Sequence, residues 1–488
     1  MKISYFQSIM KRIYLISLLF LSQFAFAQEA LKENFENIVQ DINQHSEAYD
    51  RLKYSTEKIG HRLTGSKNGE KAETYVHDLL KSYGYQVSYQ PFSAEAWSRK
   101  SLKLRFNKQE VPSVSLAHSP VRAKVEAELV DLGNGLEADY QRVGDKVKDK
   151  IALVFLHILP NSGTGLKNLH RSEKTALAEK YGAAGIIFIN SVKGNVLLTG
   201  TASITGKLIN IPAVCIGFED GMKWKETLAS QPISAAIDMK NKSGEATARN
   251  VLVHIPGTSL SNEKIVIGGH LDSWDLATGA IDNGIGSFAV IDIARTFKKL
   301  AVQNKRSIDF VLFMGEEQGL LGAKAYVDQA IKDGKIEEIK YMINLDMVNA
   351  PTGFTTTREE MKALFDQWGA VYAQVDEKFK NENTIAAGLH SDHQPFMLQG
   401  IPTATGRGGA LPNNAGMYYH SNRDVFGLVD KGGLEQTVRV SAALLYALAN
   451  ADQIPAIKLS DAAIKQFLEE KGMKEPLKIS GEWRWGQD

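Results

Sequence analysis

Short apolar runs alternate with helix-like segments between Asn250 and Ala451, and this alternation constrains the fold more than any other feature of the chain. Strands that alternate with helices form a mainly parallel sheet whose two faces are covered by helices. In such a sheet, ligands bind beyond the carboxyl ends of the strands. The pattern predicts, in order, a strand at Lys264–Gly268, a helix at Ser287–Leu300, a strand at Ser307–Met314, a helix at Leu320–Ile331 and a strand at Tyr341–Leu345.

A second unit is predicted between residues 119 and 243, where β-rich runs surround one helical stretch at Ser172–Tyr181. The runs are Ala127–Leu132, Ile151–Leu156, Ala184–Asn190 and Ile211–Ile216. We interpret this segment as a compact α/β domain inserted into a larger one, which comprises residues 28–118 and 244–488. The predicted fold class is therefore α/β: a mainly parallel sheet flanked by helices, with a smaller α/β insert.

The amino terminus has the three parts of an export signal. Lys2, Lys11 and Arg12 are positively charged, Ile13–Phe24 is apolar, and Ala25–Ala27 has small residues at the cleavage positions. We predict that residues 1–27 are a signal peptide and that the mature protein is secreted or periplasmic. A membrane span needs about 20 apolar residues, and none is expected in the mature chain.

Composition narrows the classes of partner. The formal net charge is +1, and no basic stripe is available to neutralise a phosphate backbone, so nucleic acid is not expected. Cys215 is the only cysteine, which excludes an internal disulfide. Because it lies in an apolar run, we expect a buried small side chain there and not a nucleophile.

Polar residues follow three consecutive predicted strands at the edge where such folds bind ligands. A single His or Asp after a strand is more often a capping or solvated residue than a ligand, so their coincidence at one edge is the signal. The residues are His270 and Asp272 after the first strand, Glu316 and Glu317 after the second, and Asp346 after the third.

Two further residues lie in loops that lead into helices. Asp282 is in the glycine-bracketed loop 279–284, and its simpler interpretation is a helix N-cap. His420 is in the polar loop 418–424, before the last long helix. A sheet edge that collects imidazoles and carboxylates is typical of a metal site, because Zn²⁺ accepts both kinds of ligand.

The order of these residues, His-x-Asp, then Asp, Glu-Glu, Asp and His, resembles the M28 family of zinc peptidases, and within it the carboxypeptidase Q branch. The resemblance covers nearly the whole mature chain. It includes the loop 59–67, the continuation 318–323 after the two glutamates, and segments 182–190 and 211–214, which resemble the protease-associated (PA) domain. One departure is Asn283, where many relatives have a second Asp.

The resemblance implies a site with two zinc ions. In it, Asp282 bridges the ions, His270 and Asp346 complete one site, and Glu317 and His420 complete the other. Two ions about 3.5 to 4 Å apart can share one carboxylate and one water.

The same resemblance assigns roles to neighbouring carboxylates. Glu316 is the expected general base, which takes a proton from the water that attacks the scissile carbonyl. Asp272 is expected to accept the other ring N–H of His270. Asp424 is either an equivalent partner of His420 or an ordinary loop carboxylate.

The implied function is an exopeptidase that hydrolyses short peptides or dipeptides as an aminopeptidase, dipeptidase or carboxypeptidase. The alternatives are a glutaminyl-cyclase-like acyltransferase with one zinc and a peptide-binding relative that has lost catalysis. The complete ligand set and the adjacent Glu316 and Glu317 favour hydrolysis. In segment 388–396, His390 and Asp392 are expected either to contact substrate or to have a structural role. Assembly as a homodimer and the end of the peptide that is recognised stay open.

Overall fold

The computed structural model describes residues 28–486, so the predicted signal peptide lies outside the described residues. The helices are α1 (28–45), α2 (Ala48–Lys58), α3 (Lys67–Ser82), α4 (Glu137–Val143), α5 (Arg171–Lys180), α6 (Phe218–Ser230), α7 (Ile285–Lys299), α8 (Leu321–Lys332), α9 (Lys362–Tyr372), α10 (His393–Leu398), α11 (Lys431–Asn450), α12 (Asp461–Glu470) and α13 (Lys474–Ile479). The strands are β1 (Val87–Glu95), β2 (Ser98–Phe106), β3 (Gln109–Glu110), β4 (Ser113–Ser115), β5 (Arg122–Asp131), β6 (Ile151–Phe155), β7 (Gly185–Ile189), β8 (Ala213–Ile216), β9 (Ser234–Lys242), β10 (Glu245–Ile255), β11 (Leu260–His270), β12 (Arg306–Phe313), β13 (Ile339–Asn344), β14 (Gly353–Thr356), β15 (Thr384–Ile385) and β16 (Thr403–Arg407).

The first sheet has eight strands in the order β1-β10-β12-β11-β13-β16-β14-β15. Its central strands β12, β11, β13 and β16 are parallel, and β10 and β14 pair with them antiparallel on either side. Successive residues of β11 face opposite sides of the sheet. Ile265 and Ile267 pack in the core that contains residues of α7 and α11, whereas Val266 packs with residues of α8. The predicted parallel sheet with helices on both faces is confirmed.

The second sheet also has eight strands, in the order β3-β2-β9-β5-β6-β7-β8-β4. Strands β5 to β8 are parallel, and β9, β2 and β4 pair antiparallel. Strands β2 to β4 precede residue 119, the predicted start of the insert, yet belong to this sheet. Strand β2 is partly exposed and lacks the apolar run that marks a buried strand. Taking the sheet as the unit, we propose that the insert extends from Ser98 to Lys242.

The carboxyl-terminal segment packs against the first unit. Helices α12 and α13 share an apolar cluster with α10, the helix that follows the loop 388–392. The buried members are Met397, Leu398, Ile464, Leu468, Met473 and Leu477. This contact places the end of the chain beside the carboxyl edge of the first sheet.

Two sequence expectations concern burial and membranes. Cys215 is fully buried in the second unit, as expected for a small apolar side chain. Within residues 28–486, the helices lack the combination of length and apolar character that crossing a membrane requires.

Candidate metal centre

Parallel strand pairing brings the predicted residues to one edge. In the register of the sheet, His270 at the end of β11 is opposite Phe313 of β12, and Gly268 is opposite Asn344 of β13. Glu316 and Asp346 therefore leave their strands beside His270. Asp282, Glu317 and His420 converge on the same place from the neighbouring loops.

Asp282 lies in a π-helical turn at 280–284 that runs into α7. The turn is entered through Gly279, whose φ of 59° is left-handed. Both carboxylate oxygens of Asp424 accept hydrogen bonds from this turn, from Ile281 N at 2.8 Å and from Asp282 N at 3.0 Å. Asp424 therefore fixes the backbone of Asp282. The suggestion that Asp424 is the partner of the His420 ring is wrong.

The backbone of His420 is held by the inserted unit. His420 has a left-handed φ of 54°, which is uncommon for a residue other than glycine. Its carbonyl accepts a hydrogen bond from Thr199 N at 2.8 Å, and Leu198 forms an antiparallel bridge with Ser421. The segment 198–199 of the insert thus stabilises an otherwise costly backbone conformation at the site.

The distances divide the side chains into two groups that share Asp282. In one group, Nε2 of His270 lies 3.3 Å from Oδ1 of Asp282 and 3.5 Å from Oδ1 of Asp346. In the other, Nε2 of His420 lies 3.0 Å from Oδ2 of Asp282 and 2.9 Å from Oε2 of Glu317. Each oxygen of Asp282 therefore faces a different imidazole.

Several of these atoms are buried without a hydrogen bond in the described part of the chain. They are Nε2 of His270, Oδ2 of Asp282 and Oε1 of Glu317. A buried polar atom without a partner costs about 1–3 kcal/mol. Ligand atoms of His270, Asp282 and Glu317 lie within 4.8 Å of one another. Nitrogen and oxygen atoms that converge without pairing fit a bound cation, and zinc accepts this set of donors.

A hydrogen bond fixes the tautomer of His270. Nδ1 lies 3.2 Å from the backbone oxygen of Asp272, which only accepts, so Nδ1 carries a proton and Nε2 is the ring nitrogen that faces the site. The expected acceptor was the Asp272 carboxylate, whose Oδ1 is farther away at 3.6 Å. That carboxylate instead accepts hydrogen bonds from Thr64 Oγ1 at 3.0 Å and Glu316 N at 3.3 Å. Asp272 thus positions both the imidazole and the backbone of Glu316.

Arg171 was not predicted and reaches the site from the insert. Its Nη2 donates a hydrogen bond to Nδ1 of His420 at 2.9 Å, and its Nε has no hydrogen-bond partner in the described chain. Arg171 begins α5, and Lys174 lies in the same first turn. Cations are unfavourable at a helix N-terminus. Two basic residues in the first turn of α5 were therefore the sequence signal that could have indicated a special role for Arg171.

Arg62 was also missed, although its loop was recognised. Its guanidinium is fully buried and donates to three backbone oxygens of the loop between β11 and the π-helical turn. The acceptors are Leu271 at 2.5 Å, Thr278 at 2.8 Å and Gly279 at 2.8 Å. Arg62 therefore fixes the loop that carries Asp272 and leads to Asp282.

Burial and mutual charge shift the pKa values of the site. Burial, together with the charge of Arg171, lowers the pKa of His420 to about 4, so the ring is neutral and suited to bind metal. Burial acts to lower the pKa of His270, but the carboxylates around it, Glu316 first, raise it well above the ordinary value. Burial raises the pKa of Glu316 and of Glu317 well above the usual range.

Two cavities border the group of ligands. One, of about 100 Å³, is lined by Glu316, Glu317 and His420 from the first unit and by Arg171 from the insert. The other, of about 310 Å³, is lined by Asp346, by Asn344 and His393, and by small side chains. These are Thr355, Thr357, Ala386, Ala387, Thr403, Ala404 and Thr405. The site therefore borders one cavity beside Glu317 and His420 and another beside Asp346.

Asp392 and His390 occupy different surroundings. Asp392 is fully buried, and neither of its carboxylate oxygens has a hydrogen-bond partner within residues 28–486. His390 lines the smaller cavity and stacks on His170 of the insert, with ring centroids 5.5 Å apart. His390 thus faces the cavity, whereas Asp392 is enclosed.

A family model for peptidase family M28 matches residues 250–445, the span that contains every predicted ligand, and a PA domain model matches residues 125–224. Over this span the chain is similar to the peptidases of family M28. The resemblance noted in the sequence, including the inserted PA domain, is thereby confirmed. This match and the similar proteins described next identify the chain as a metallopeptidase.

Similar proteins span most of this chain. A probable leucine aminopeptidase 2 from Aspergillus oryzae is 26% identical over 399 residues, which cover 80% of this chain and 76% of that protein. Carboxypeptidase Q of Mus musculus is 23% identical over 445 residues, which cover 86% of this chain and 91% of that protein. A zinc aminopeptidase from Bacillus subtilis has the same fold, with a TM-score of 0.64 at 23% identity over 85% of this chain and 97% of that one.

Proposed function

We propose that this M28 peptidase is an exported, two-zinc exopeptidase that hydrolyses short peptides or dipeptides. The observation that carries the proposal is the position of Asp282, whose two oxygens face the imidazoles of His270 and His420 at 3.3 Å and 3.0 Å. A single carboxylate that serves two groups of ligands supports two ions and not one. Export rests on the leader sequence of residues 1–27.

The charge at the sheet edge also supports two divalent ions. Seven carboxylates lie close together, and the two arginines beside them, Arg62 and Arg171, leave five negative charges in excess when every carboxylate is ionised. Two divalent ions offset four of these charges, and one ion offsets two. Buried charge without compensation is costly, which favours the larger number. The carboxylates are Asp272, Asp282, Glu316, Glu317, Asp346, Asp392 and Asp424.

The proposed zinc ligands form the same two groups that the nitrogen–oxygen distances define. His270 and Asp346 with one oxygen of Asp282 would hold one zinc, and Glu317 and His420 with the other oxygen would hold the second. Zinc, when bound, polarises a scissile carbonyl and makes water a better nucleophile at neutral pH.

Glu316 is placed to move protons. Its Oε2 lies 4.0 Å from Nε2 of His270, outside the shorter distances of the ligand groups, and its side chain lines the smaller cavity. A carboxylate there accepts a proton from the attacking water and returns it to the leaving amine. The hydrogen bond from its backbone N–H to Asp272 fixes its direction.

Arg171 supplies an anchor for a free carboxyl terminus. If His420 were to hold a metal through Nε2, its ring proton would be on Nδ1, which could then not accept the hydrogen bond from Arg171. The guanidinium, which already lines the cavity, becomes free for another acceptor. Arginine binds carboxylates through two parallel hydrogen bonds. This arrangement favours substrates with a free α-carboxylate within one residue of the scissile bond.

The larger cavity, beside Asp346, fits the side chain on the other side of the scissile bond. Its lining of threonine and alanine side chains favours small uncharged residues. A dipeptide would thus place one residue towards each cavity. The glutaminyl-cyclase alternative requires only one zinc ion. A relative that has lost catalysis would not require the geometry of the proposed metal site.

A substrate panel tests the proposal. Purified protein is incubated with free dipeptides, amino-acetylated dipeptides, carboxy-amidated dipeptides and a glutaminyl peptide, with and without a chelator. We expect hydrolysis of free dipeptides that the chelator abolishes and added zinc restores. Cyclisation of the glutaminyl peptide without hydrolysis would favour the cyclase, and the absence of any product would favour the inactive relative.

A further inference from the structure

The carboxyl-terminal segment lies beyond residue 445, where the match to family M28 ends. It nevertheless reaches the smaller cavity, which is lined by Pro476, Ser480 and Glu482 in addition to the residues of the sheet edge and the insert. The apolar cluster between α10, α12 and α13 anchors the segment there. A part of the chain outside the matched span thus forms one wall of the cavity.

Glu482 is the charged residue of this wall, and its carboxylate has partners on both oxygens. Oε2 accepts hydrogen bonds from Gln394 Nε2 at 2.8 Å and from Ser480 Oγ at 3.1 Å. Oε1 pairs with Lys324 Nζ at 3.1 Å. The side chain keeps 22% of its surface exposed, so it is accessible from the cavity.

Gln394 connects Glu482 to the loop 388–392, which we assign to the substrate site. Its Oε1 accepts a hydrogen bond from His390 N at 2.7 Å. His390 has a left-handed φ of 68°, a conformation that a residue with a side chain adopts only when its surroundings hold it. The amide of Gln394 is buried, and Glu482 fixes which end of it faces His390, because a carboxylate can only accept.

His390 connects this loop to the insert. Its ring stacks on His170, the residue before Arg171, and both histidines line the cavity. A change in the conformation of the 388–392 loop would therefore change the shape of the cavity that Arg171, the proposed carboxylate anchor, also lines. The contacts form a continuous series from Glu482 through Gln394 to His390.

We propose that the carboxyl-terminal segment completes the substrate site and that Glu482 is a positioning residue, which orients the His390 loop through Gln394. The inference rests on the proposed peptidase function, since it assigns the smaller cavity to substrate. Glu482 acts on substrate affinity and not on metal binding, because its partners are Gln394, Ser480 and Lys324 and not the ligands.

The first test is Glu482→Ala, with Glu475→Ala as the matched control. Glu475 is an exposed carboxylate of α13 that lies 3.7 Å from Nζ of Lys478. We expect KM for a free dipeptide to rise about 3- to 10-fold in Glu482→Ala, as loss of one hydrogen bond implies. The kcat and the zinc content stay within twofold of wild type, and Glu475→Ala matches wild type throughout.

A second variant, Gln394→Met, separates positioning from general stability. It removes the same series of contacts at its middle, so we expect the same rise in KM and no further rise in the double variant with Glu482→Ala. Independent effects that multiply in the double variant would overturn the proposal. So would a folded Glu482→Ala protein with the wild-type KM.

Equilibrium binding distinguishes this inference from the proposed function. In a zinc-loaded Glu316→Gln background, the Kd of a free dipeptide measured by calorimetry should rise by the same factor on Glu482→Ala. If the wild type does not hydrolyse peptides but this Kd shift is found, the function fails and the positioning role holds. An unchanged Kd would overturn the positioning role even in an active enzyme.

Discussion

Arg171 of the insert donates a hydrogen bond from Nη2 to Nδ1 of His420 at 2.9 Å. Two units that are far apart in sequence thus meet at the candidate metal centre. In the proposed site, substrate recognition then depends on the insert even though the proposed metal ligands come from the first unit. This relationship leads to a prediction about the end of the peptide that is bound.

Arg171→Met should weaken the binding of substrates with a free carboxyl terminus. Loss of a charge-assisted hydrogen bond costs about 1.5–3 kcal/mol, which corresponds to an increase in KM of about 10- to 150-fold. Carboxy-amidated peptides should show little change, since they lack the charge. Arg423→Met, an exposed arginine of the His420 loop, is the control. Equal losses for free and amidated peptides would contradict the anchor.

Asp424→Asn should lower zinc affinity without removing a ligand. Asp424 accepts hydrogen bonds from Ile281 N and Asp282 N through its two oxygens. An amide accepts only one of them and presents an N–H to the other, so the turn that carries Asp282 moves. Loss of such a supporting contact typically costs 10- to 100-fold in metal affinity. Competition with a zinc chelator measures the zinc affinity. A wild-type affinity in Asp424→Asn would show that the turn keeps its conformation without the Asp424 carboxylate.

Arg62→Met should destabilise the fold. Its guanidinium is fully buried and donates to three backbone oxygens, and those of Leu271 and Thr278 would lose this donor while that of Gly279 keeps the hydrogen bond from Gly284 N. We expect the free energy of unfolding to fall by at least about 3 kcal/mol. Arg51→Met, which removes an exposed ion pair within α2, should cost less than about 1 kcal/mol. Denaturant unfolding of both variants checks this, and similar losses would show that burial of Arg62 has no special role.

The parallel sheet and the position of its polar edge could be predicted because their signals are local. Apolar runs such as Lys264–Gly268 mark buried strands, and parallel pairing then fixes which ends meet. Strand β2 could not be recognised in the same way, because it is partly exposed and its pairing with β9 joins distant parts of the chain. The second sheet therefore begins before residue 119, the predicted start of the insert.

The contacts of the site depend on tertiary packing that sequence spacing does not reveal. His270 was expected to meet the carboxylate of Asp272, but its ring donates to the backbone oxygen of that residue. Asp424 was considered as a partner for His420, and it binds the backbone of Asp282 instead. Arg171 was missed because a residue of the insert reaches the site only through the relative placement of the two units.

Glu316→Gln and Glu317→Gln should differ in kind although they are adjacent. Glu316 lies outside the closest contacts of the ligand groups, whereas Oε2 of Glu317 is 2.9 Å from Nε2 of His420. General acid–base catalysis is worth about 10² to 10⁴ in rate, so Glu316→Gln should lose at least about 10² in kcat and keep its zinc. Glu317→Gln should lose zinc occupancy. Zinc loss from the first variant and only a loss of rate in the second would reverse the assignment of base and ligand.

The number of zinc ions per folded chain tests the two-zinc site most directly. Elemental analysis of the purified protein should find two zinc ions in the wild type, one in His420→Ala and a loss from both sites in Asp282→Ala, because Asp282 faces both imidazoles. Circular dichroism confirms that each variant is folded. A single tightly bound zinc in the wild type, or an Asp282→Ala protein that keeps one site at full occupancy, would contradict the bridging role of Asp282.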